Sequence, residues 1–456
     1  MDRRQFMAAS LAAMSAATGY AMPPARRSPN FVVIYCDDLG YGDIGPMGGR
    51  EIPTPNLDRM AKEGLTLTDY YAPANVCTPS RAGLLTGRYP IRSGMSRVLN
   101  ATDTNVMPLT EITIARALKP AYTSALIGKW HLGCNNPSWA PTNYGFDLFY
   151  GIPYSHDIQP LRVYEFDRSG ARSEWEPDYP RLQQMFYARA EKFIEEQANR
   201  PFFLELALSS PHLPNYPAPG FQNGSANAGA YGDTVMEIDA IVGRLMKKLK
   251  ALGIDQDTLI IFSSDNGPWF EGSTGGLRQR KGGAGFDGGY RVPFIARWPR
   301  HIPARRRSDA IAMGIDILPT FCALGGLPLP ANELDGRDLS GVLLHGARSP
   351  HDELVLFQGE EVVGIRTQQW KYVNADMYQD YFILLEHRGY PQLYDMTRPG
   401  EQYSVASLHP DILKAMEQRL SRSAERFGGL RTGPSVLEKQ RSAVRHRHVP
   451  EQWEGD

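Results

Sequence analysis

Cysteine is scarce in this chain. Four residues (Cys36, Cys77, Cys134 and Cys322) in a length of 456 are too few and too scattered for a disulfide framework. Cys36 lies in an apolar strand-like run and Cys322 in an apolar helix-like run, the settings of small buried hydrophobes. Cys134 carries no local signal, and Cys77 sits in a different context. Neither sign of charge is in excess: 49 Lys and Arg against 50 Asp and Glu leave a formal charge of −1. That balance excludes nucleic acid as an expected partner, and any anion site must be local. No run beyond the N-terminus is long and apolar enough for a membrane helix, so no membrane anchor is expected. Although Gly and Pro number 44 and 35, no segment has the composition of a long disordered linker, and no internal repeat is present.

What is present begins with a short export-like start. Arg3-Arg4-Gln5-Phe6-Met7 precedes an Ala-rich apolar stretch from Ala8 to Ala17, and Gly19-Tyr20-Ala21 offers small residues for cleavage. Residues 1–21 therefore read as a bacterial export signal of the twin-arginine type, and the expected location is the periplasm.

Four short apolar runs then end in polar clusters. Phe31–Cys36 leads to Asp37-Asp38, and Tyr122–Ile127 to Gly128-Lys129-Trp130-His131. Phe202–Leu208 leads to Ser209-Ser210-Pro211-His212, and Thr258–Phe262 to Ser263-Ser264-Asp265-Asn266-Gly267. Near-continuous apolar runs of this length suit strands buried on both faces of a parallel sheet. Helix-like stretches at Thr54–Glu63, Arg181–Ala198 and Thr234–Leu252 lie between them. The alternation predicts an α/β fold, a large mostly parallel sheet sandwiched by helices. Ligands of such sheets bind beyond the carboxyl ends of the strands, where each polar cluster falls, so distant residues are expected to line one pocket.

After about residue 350 the pattern changes to short strands at Glu353–Phe357, Val362–Arg366 and Trp370–Val373, then a helix at Pro410–Leu420. The expected organisation is a catalytic domain over 30–350, a small C-terminal antiparallel α+β subdomain over 351–428 and a polar tail over 429–456. Arg445-His446-Arg447-His448 in that tail reads as a solvated extension.

Cys77-Thr78-Pro79-Ser80-Arg81 continues into Leu85-Thr86-Gly87-Arg88. Thr78 suits an N-cap, Pro79 the first helical position and Gly87 the helix end. Cys77 then stands where free N–H groups and the helix dipole favour an anion, with Arg81 returning over the same turn. A cysteine-phosphatase loop needs more residues and more glycine between Cys and Arg. Asp37, Asp38, Asp265 and Asn266 form an all-oxygen donor set, which favours Ca²⁺ or Mg²⁺ over zinc. Asp43 and Asp58 read as cap or turn residues.

The Cys77–Arg88 segment resembles the maturation signature of the type I, formylglycine-dependent sulfatases of the alkaline phosphatase superfamily. The resemblance extends to Asp37–Asp43, Thr54–Asp58, Gly128–Gly133, Pro211-His212-x-Pro214, Ser264–Gly267, Lys281-Gly282, Leu393-Tyr394-Asp395 and Pro399-Gly400-Glu401. Within the family it lies near arylsulfatase A and N-acetylgalactosamine-6-sulfatase. It implies an alkaline phosphatase-like fold and oxidation of Cys77 to formylglycine by a dedicated maturation enzyme. The hydrated aldehyde is a geminal diol, which can take up sulfate and expel it by collapsing back to the aldehyde. The resemblance further implies Ca²⁺ held by Asp37, Asp38, Asp265, Asn266 and residue 77. Arg81 would hold the diol and a metal ligand, and Lys129 both formylglycine and sulfate. Lys281 would bind sulfate near the leaving oxygen, with Arg278 and Arg280 as alternative cations. His131 would remove the proton of the second hydroxyl, and His212 would bind sulfate and protonate the leaving alcohol. Ser80 and Thr78 read as maturation and capping residues.

The expected substrate is a sulfate monoester of a carbohydrate or an aryl alcohol. The rivals are a phosphodiesterase or phosphonate hydrolase of the same superfamily, and a non-catalytic sulfoglycan-binding protein with Cys77 unmodified. Segments 135–180, 213–231 and 268–280 are expected to line the outer pocket, with Trp139, His156, Trp269 and Arg278 as sugar contacts.

Overall fold

The computed structural model describes residues 28–378, 381–385, 389–398 and 400–433. The export signal, Pro399 and the Arg445–His448 run lie outside the described residues.

In chain order the strands are β1 Asn30–Asp37, β2 Leu65–Leu67, β3 Tyr70–Tyr71, β4 Thr123–Lys129, β5 Leu148–Ile152 and β6 Val163–Asp167. Next come β7 Arg172–Trp175, β8 Phe202–Pro211, β9 Thr258–Ser264, β10 Phe294–Arg297, β11 Arg306–Ser308 and β12 Ala312–Met313. The last six are β13 Leu354–Gln358, β14 Glu361–Arg366, β15 Trp370–Val373, β16 Ala375–Tyr378, β17 Tyr381–Leu384 and β18 Gln392–Asp395. The helices are α1 Pro55–Lys62, α2 Cys77–Thr86, α3 Ile114–Leu118 and α4 Leu182–Gln197. They continue with α5 Gly229–Ala251, α6 Asp287–Tyr290, α7 Ile317–Gly325 and α8 Pro410–Gly428.

Ten strands form one sheet in the order β11-β2-β10-β9-β1-β8-β4-β5-β6-β7. Its centre, β9-β1-β8-β4-β5, is wholly parallel. β10 and β6 join antiparallel to the two ends of that block. β1 is buried along its whole length and shows why its apolar run is continuous. Phe31, Val33 and Tyr35 pack in one core with residues of α2, α3 and α7. Val32, Ile34 and Cys36 pack in the other core with residues of α1, α4 and α5. The strand must be apolar on both faces because helices cover both.

The smaller sheet, β13-β14-β15-β18, is antiparallel. Met416, Leu420 and Phe427 of α8 share a core with Val355, Ile365 and Tyr372 of that sheet. A three-layer α/β unit with a small antiparallel sheet after it is therefore the observed architecture. Helix α5 begins at Gly229, five residues before the expected start, because Tyr231 and Asp233 are themselves buried, Tyr231 holding Asp43 and Asp233 the 223–225 turn.

Candidate active site

Five adjacent parallel strands deliver polar residues to one sheet edge. β1 ends at Asp37 and Asp38, β4 at Lys129 and then His131, and β5 is followed by Ser155. β8 leads to His212, and β9 to Asp265 and Asn266. Gly128 is required in this bundle: a Cβ there would sit 1.8 Å from the Ala207 carbonyl oxygen, and its φ is +121°. Two turns are strained, since Asp38 (φ 65°) and His131 (φ 59°) occupy left-handed backbone without being glycine.

Helix α2 aims its N-terminus at the same point. It starts at Cys77 itself, with extended Val76 before it. Thr78 is therefore no cap; its hydroxyl accepts from the Leu99 N–H at 3.2 Å. The expected stop holds, because Gly87 is left-handed (φ 68°) and its N–H donates to Gly83. Ser80 shares a hydrogen bond with the Tyr35 hydroxyl at 3.2 Å.

The charged groups interlock around Cys77. Its Sγ lies 3.4 Å from Asp37 Oδ1 and 3.9 Å from Asp38 Oδ1. Lys129 Nζ donates to Asp37 Oδ2 and to Ser155 Oγ, each at 2.6 Å. Arg81 donates twice to Asp265 Oδ2, at 2.7 and 3.0 Å, and once to the Lys129 carbonyl at 3.2 Å. Asn266 Nδ2 donates to Asp38 Oδ1 at 2.7 Å, and Lys281 Nζ to Asp38 Oδ2 at 2.7 Å. His212 Nε2 stands 3.5 Å from Asp38 Oδ2. His131 stands apart from these contacts: its Nε2 meets the Leu99 carbonyl at 2.9 Å. A ring nitrogen facing a carbonyl must carry the proton, so Nδ1 bears the lone pair. That Nδ1 is buried and has no partner.

Burial and neighbours set the protonation states. Burial pushes the Cys77 thiol well above its ordinary value, with Lys129 and Lys281 only partly opposing. An unmodified Cys77 is thus a neutral thiol and a poor nucleophile. Burial raises Asp37 too, but Lys129, His212, Arg81 and Lys281 outweigh it and hold the carboxyl well below its usual range. Asp38 stays raised by burial and by Asp37, despite Lys281. Asp265 is pushed up to about 6, by burial first. Burial, then Lys129, keeps His131 neutral, and burial lowers His212 to about 3.

The oxygen donors of this cluster fit a hard divalent cation, although a thiol and an imidazole stand among them. Asp37, Asp38, Cys77 and His212 bring ligand atoms within 4.8 Å of one another. The buried Asn266 Oδ1 lacks a hydrogen-bond partner beside them. A crowd of carboxylates with an orphaned amide oxygen has the chemistry of a Ca²⁺ or Mg²⁺ site.

Sequence reasoning missed Ser155. It stands alone in its loop, and its signal was the unrecognised strand β5, which ends beside β4. It also missed the Leu99 carbonyl, since a backbone contact from a distant loop has no residue signature. Two expected sugar contacts are corrected. Trp139 is buried among Phe149, Tyr164 and Phe166, where aromatic packing claims it. Arg278 is tied to Tyr394 at 2.8 Å and stacks over Phe286, facing the small sheet. A groove of about 1050 Å³ lies at the opposite sheet edge beside Arg59, Arg244 and Lys247.

The comparisons with known proteins agree on one family. The family model described as Sulfatase matches residues 29–327. Human arylsulfatase A is 36% identical over 465 residues, covering 90% of each chain. N-acetylgalactosamine-6-sulfatase of Rattus norvegicus is 36% identical over 386 residues, covering 78% of this chain and 73% of that one. Among solved structures, the PsFucS1 sulfatase from Pseudoalteromonas sp. superposes with a TM-score of 0.81 at 30% identity, over 88% of this chain and 91% of that one.

Proposed function

Because the chain belongs to the sulfatase family and is a sulfuric ester hydrolase, we propose that it cleaves sulfate monoesters of sugars or aryl alcohols with Cys77 oxidised to formylglycine and Ca²⁺ bound beside it. Asp37, Asp38, Asp265, Asn266 and residue 77 would hold the ion. The observation that carries this reading is the setting of Cys77, a neutral buried thiol held against two carboxylates with the orphaned Asn266 Oδ1 nearby. A thiol so placed cannot ionise readily to attack sulfur, whereas a diol made from it would meet bases and cations already in position.

When bound, the ion neutralises the sulfate and polarises its S–O bonds, and the diol supplies the attacking oxygen. The rest is done by the chain. Lys129 and Lys281 bring positive charge to the sulfate oxygens. Arg81 partly opposes the upward shift of Asp265 and fixes its carboxylate through paired bonds to one oxygen. His131 presents the lone pair of Nδ1 as the base that returns residue 77 to the aldehyde. His212 has Nδ1 beside the Leu213 carbonyl at 2.5 Å, which leaves Nε2, facing Asp38, as the atom that would take up a proton once the anionic sulfate ester is bound and pass it to the leaving oxygen. Ser155 orients Lys129.

A maturation enzyme that oxidises Cys77 is a necessary partner in this reading. Export to the periplasm rests on the Arg3-Arg4 start and the Ala-rich run after it. No helix among the described residues is long and apolar enough to cross a membrane.

Mass spectrometry of the peptide around residue 77, from protein made in its native host, tests the nucleophile: the aldehyde is expected. Unmodified Cys alone would refute it and leave a sulfoglycan-binding role. Rates on matched aryl sulfate, phosphate diester and phosphonate substrates test the ester. The sulfate is expected to have the highest kcat/KM, and a clear preference for the diester would overturn the reading.

A further inference from the structure

His212, whose Nε2 is the proposed proton donor to the leaving alcohol, stands in the middle of a continuous arc of six rings. On one side Trp269 lies 5.4 Å from His212, centroid to centroid, and Phe270 lies 4.5 Å from Trp269. On the other side His156 is 5.6 Å from His212, Tyr216 is 5.8 Å from His156, and Tyr179 is 4.9 Å from Tyr216. Packing does not require the outer rings to be aromatic, since Phe270 is 72% exposed and Tyr216 37%. The Trp269–Phe270 arm is nonetheless held in place: Arg280 donates to the carbonyls of both residues. Lys281 Nζ sits 5.0 Å over the Trp269 ring, which ties the arm to the sulfate-binding cation.

The arc carries polar groups at the same place. His156 Nε2 faces the Pro214 carbonyl at 2.9 Å, so its proton is there and Nδ1 is an acceptor. That Nδ1 is buried without a partner. Asp157 Oδ1 lies 3.9 Å from His212 Nδ1, and Gln159 holds the Tyr179 hydroxyl at 2.8 Å. Aromatic faces beside an unused acceptor and a carboxylate match a ring with an apolar C–H face and a hydroxyl edge. A plain aryl group has no hydroxyl to offer His156 or Asp157, and a uronate would bring its carboxylate toward that of Asp157.

We propose that the arc is the subsite for the leaving alcohol and selects a hydroxyl of a neutral pyranose ring, stacked on Trp269 and hydrogen-bonded toward His156 and Asp157. The inference rests on the sulfate-ester reading and narrows its substrate class. The bond cleaved remains the sulfate S–O bond, with the proton passed to the sugar oxygen.

The test compares three esters on purified protein whose residue 77 is formylglycine: a neutral hexose 6-sulfate, a hexuronate 2-sulfate and 4-nitrophenyl sulfate. The neutral sugar ester is expected to have the highest kcat/KM. Trp269→Ala is expected to raise KM for that ester about tenfold, the loss of one stacked ring at roughly 1.4 kcal/mol, with Trp269→Tyr recovering most of it. Phe270→Ala, which removes an exposed ring and opens no core cavity, is expected to raise KM for the sugar ester more than for the aryl ester. Equal effects of both alanine variants on the two esters, or a preference for the uronate or aryl ester, would overturn the subsite. Turnover of none of the three would instead remove the sulfate-ester reading, and the subsite with it.

Discussion

Two buried clusters in this molecule each contain three acids and three strong bases, and they differ in almost everything else. At the sheet edge stand Asp37, Asp38 and Asp265 with Arg81, Lys129 and Lys281. Where the small sheet meets the large one stand Asp69, Asp287 and Glu401 with Arg291, Arg366 and Lys371. In the second cluster every carboxylate oxygen faces a cation or a donor, although Glu401 Oε1 makes no hydrogen bond. Lys371 lies 2.5 Å from Asp287 and 2.7 Å from Glu401, off the hydrogen-bond axis of Oε1, while Glu401 Oε2 accepts the Asp287 N–H at 2.8 Å. Arg366 and Arg291 divide Asp69, and the Tyr71 hydroxyl donates to Asp287 at 2.9 Å. Burial alone would raise Asp287, but Lys371, Arg291 and Arg366 hold it below its ordinary value. Glu401 is the exception, pushed up to about 7 by burial.

The sheet-edge cluster has the same charge count with the acids crowded together. Asp37 raises both Asp38 and Asp265 beyond what burial does, and the cations beside them do not offset it. Two of its turns sit in left-handed backbone, and Asn266 Oδ1 and His131 Nδ1 are left unpaired. None of the six members of the second cluster has a positive φ. Saturation marks a fastening; crowding, strain and orphaned acceptors mark a place built for something to arrive.

The sharpest way to break that comparison is to remove one charge from each cluster. Asp38→Asn should lower kcat/KM on a sulfate ester by about 10³-fold or more, because it removes a proposed ion ligand and the partner of Lys281. Stability in chelator should not fall with it. An acid whose folded value is raised is less stable ionised in the fold than in the unfolded chain, so removing the charge relieves repulsion. Added Ca²⁺ should raise the Tm of the wild type and not of this variant, read by thermal denaturation. A large drop in chelator-treated stability would make the sheet-edge cluster a fastening after all.

Lys371→Met is the converse. It leaves Asp287 and Glu401 buried against each other with no cation between them, a change expected to cost about 3–5 kcal/mol in denaturant unfolding. A loss under about 1 kcal/mol would show that Arg291 and Arg366 suffice and that the cluster is not what joins the two sheets.

How much of this was legible in the sequence depended on what each residue answers to. β1, β4, β8 and β9 announced themselves because strands covered on both faces must be apolar throughout, and their polar ends followed at once. The three- and four-residue strands β2, β10 and β11 gave no such pattern; their place is fixed by neighbours already folded. The same holds at the site. Asp37, Asp38, Arg81, Lys129, His212, Asp265, Asn266 and Lys281 sit in motifs and come together. Ser155 answers only to Lys129, and Trp139 was misread because an aromatic residue in a loop looks alike whether it faces substrate or core. The second cluster was hardly legible: Glu401 falls in a quoted motif, but Asp69, Lys371 and Glu401 lie more than 300 residues apart at their extremes and share no local signal.

Glu205 offers the finest test of the contrast, because it adds a seventh charge under the sheet-edge cluster without a partner. It lies mid-strand in β8, opposite Val33 and Leu126, on the face that packs against α2. Its Oε2 is buried without a hydrogen bond. Burial pushes the carboxyl up to about 7, with Arg81 above it only partly opposing. Below the unfolded value both states are protonated and the group contributes nothing. Between about pH 4.5 and pH 7 the unfolded chain ionises while the fold keeps its proton, so stability falls as pH rises, by about 3 kcal/mol in all. Above pH 7 the fold ionises too and the penalty levels off. Glu205→Gln removes the titration, so the difference in unfolding free energy between variant and wild type should be small at pH 4.5 and grow to about 3 kcal/mol by pH 8. A difference that stays flat across that range would mean that Arg81 compensates Glu205 fully. The sheet-edge cluster would then be one acid richer and better balanced than its hydrogen bonds suggest.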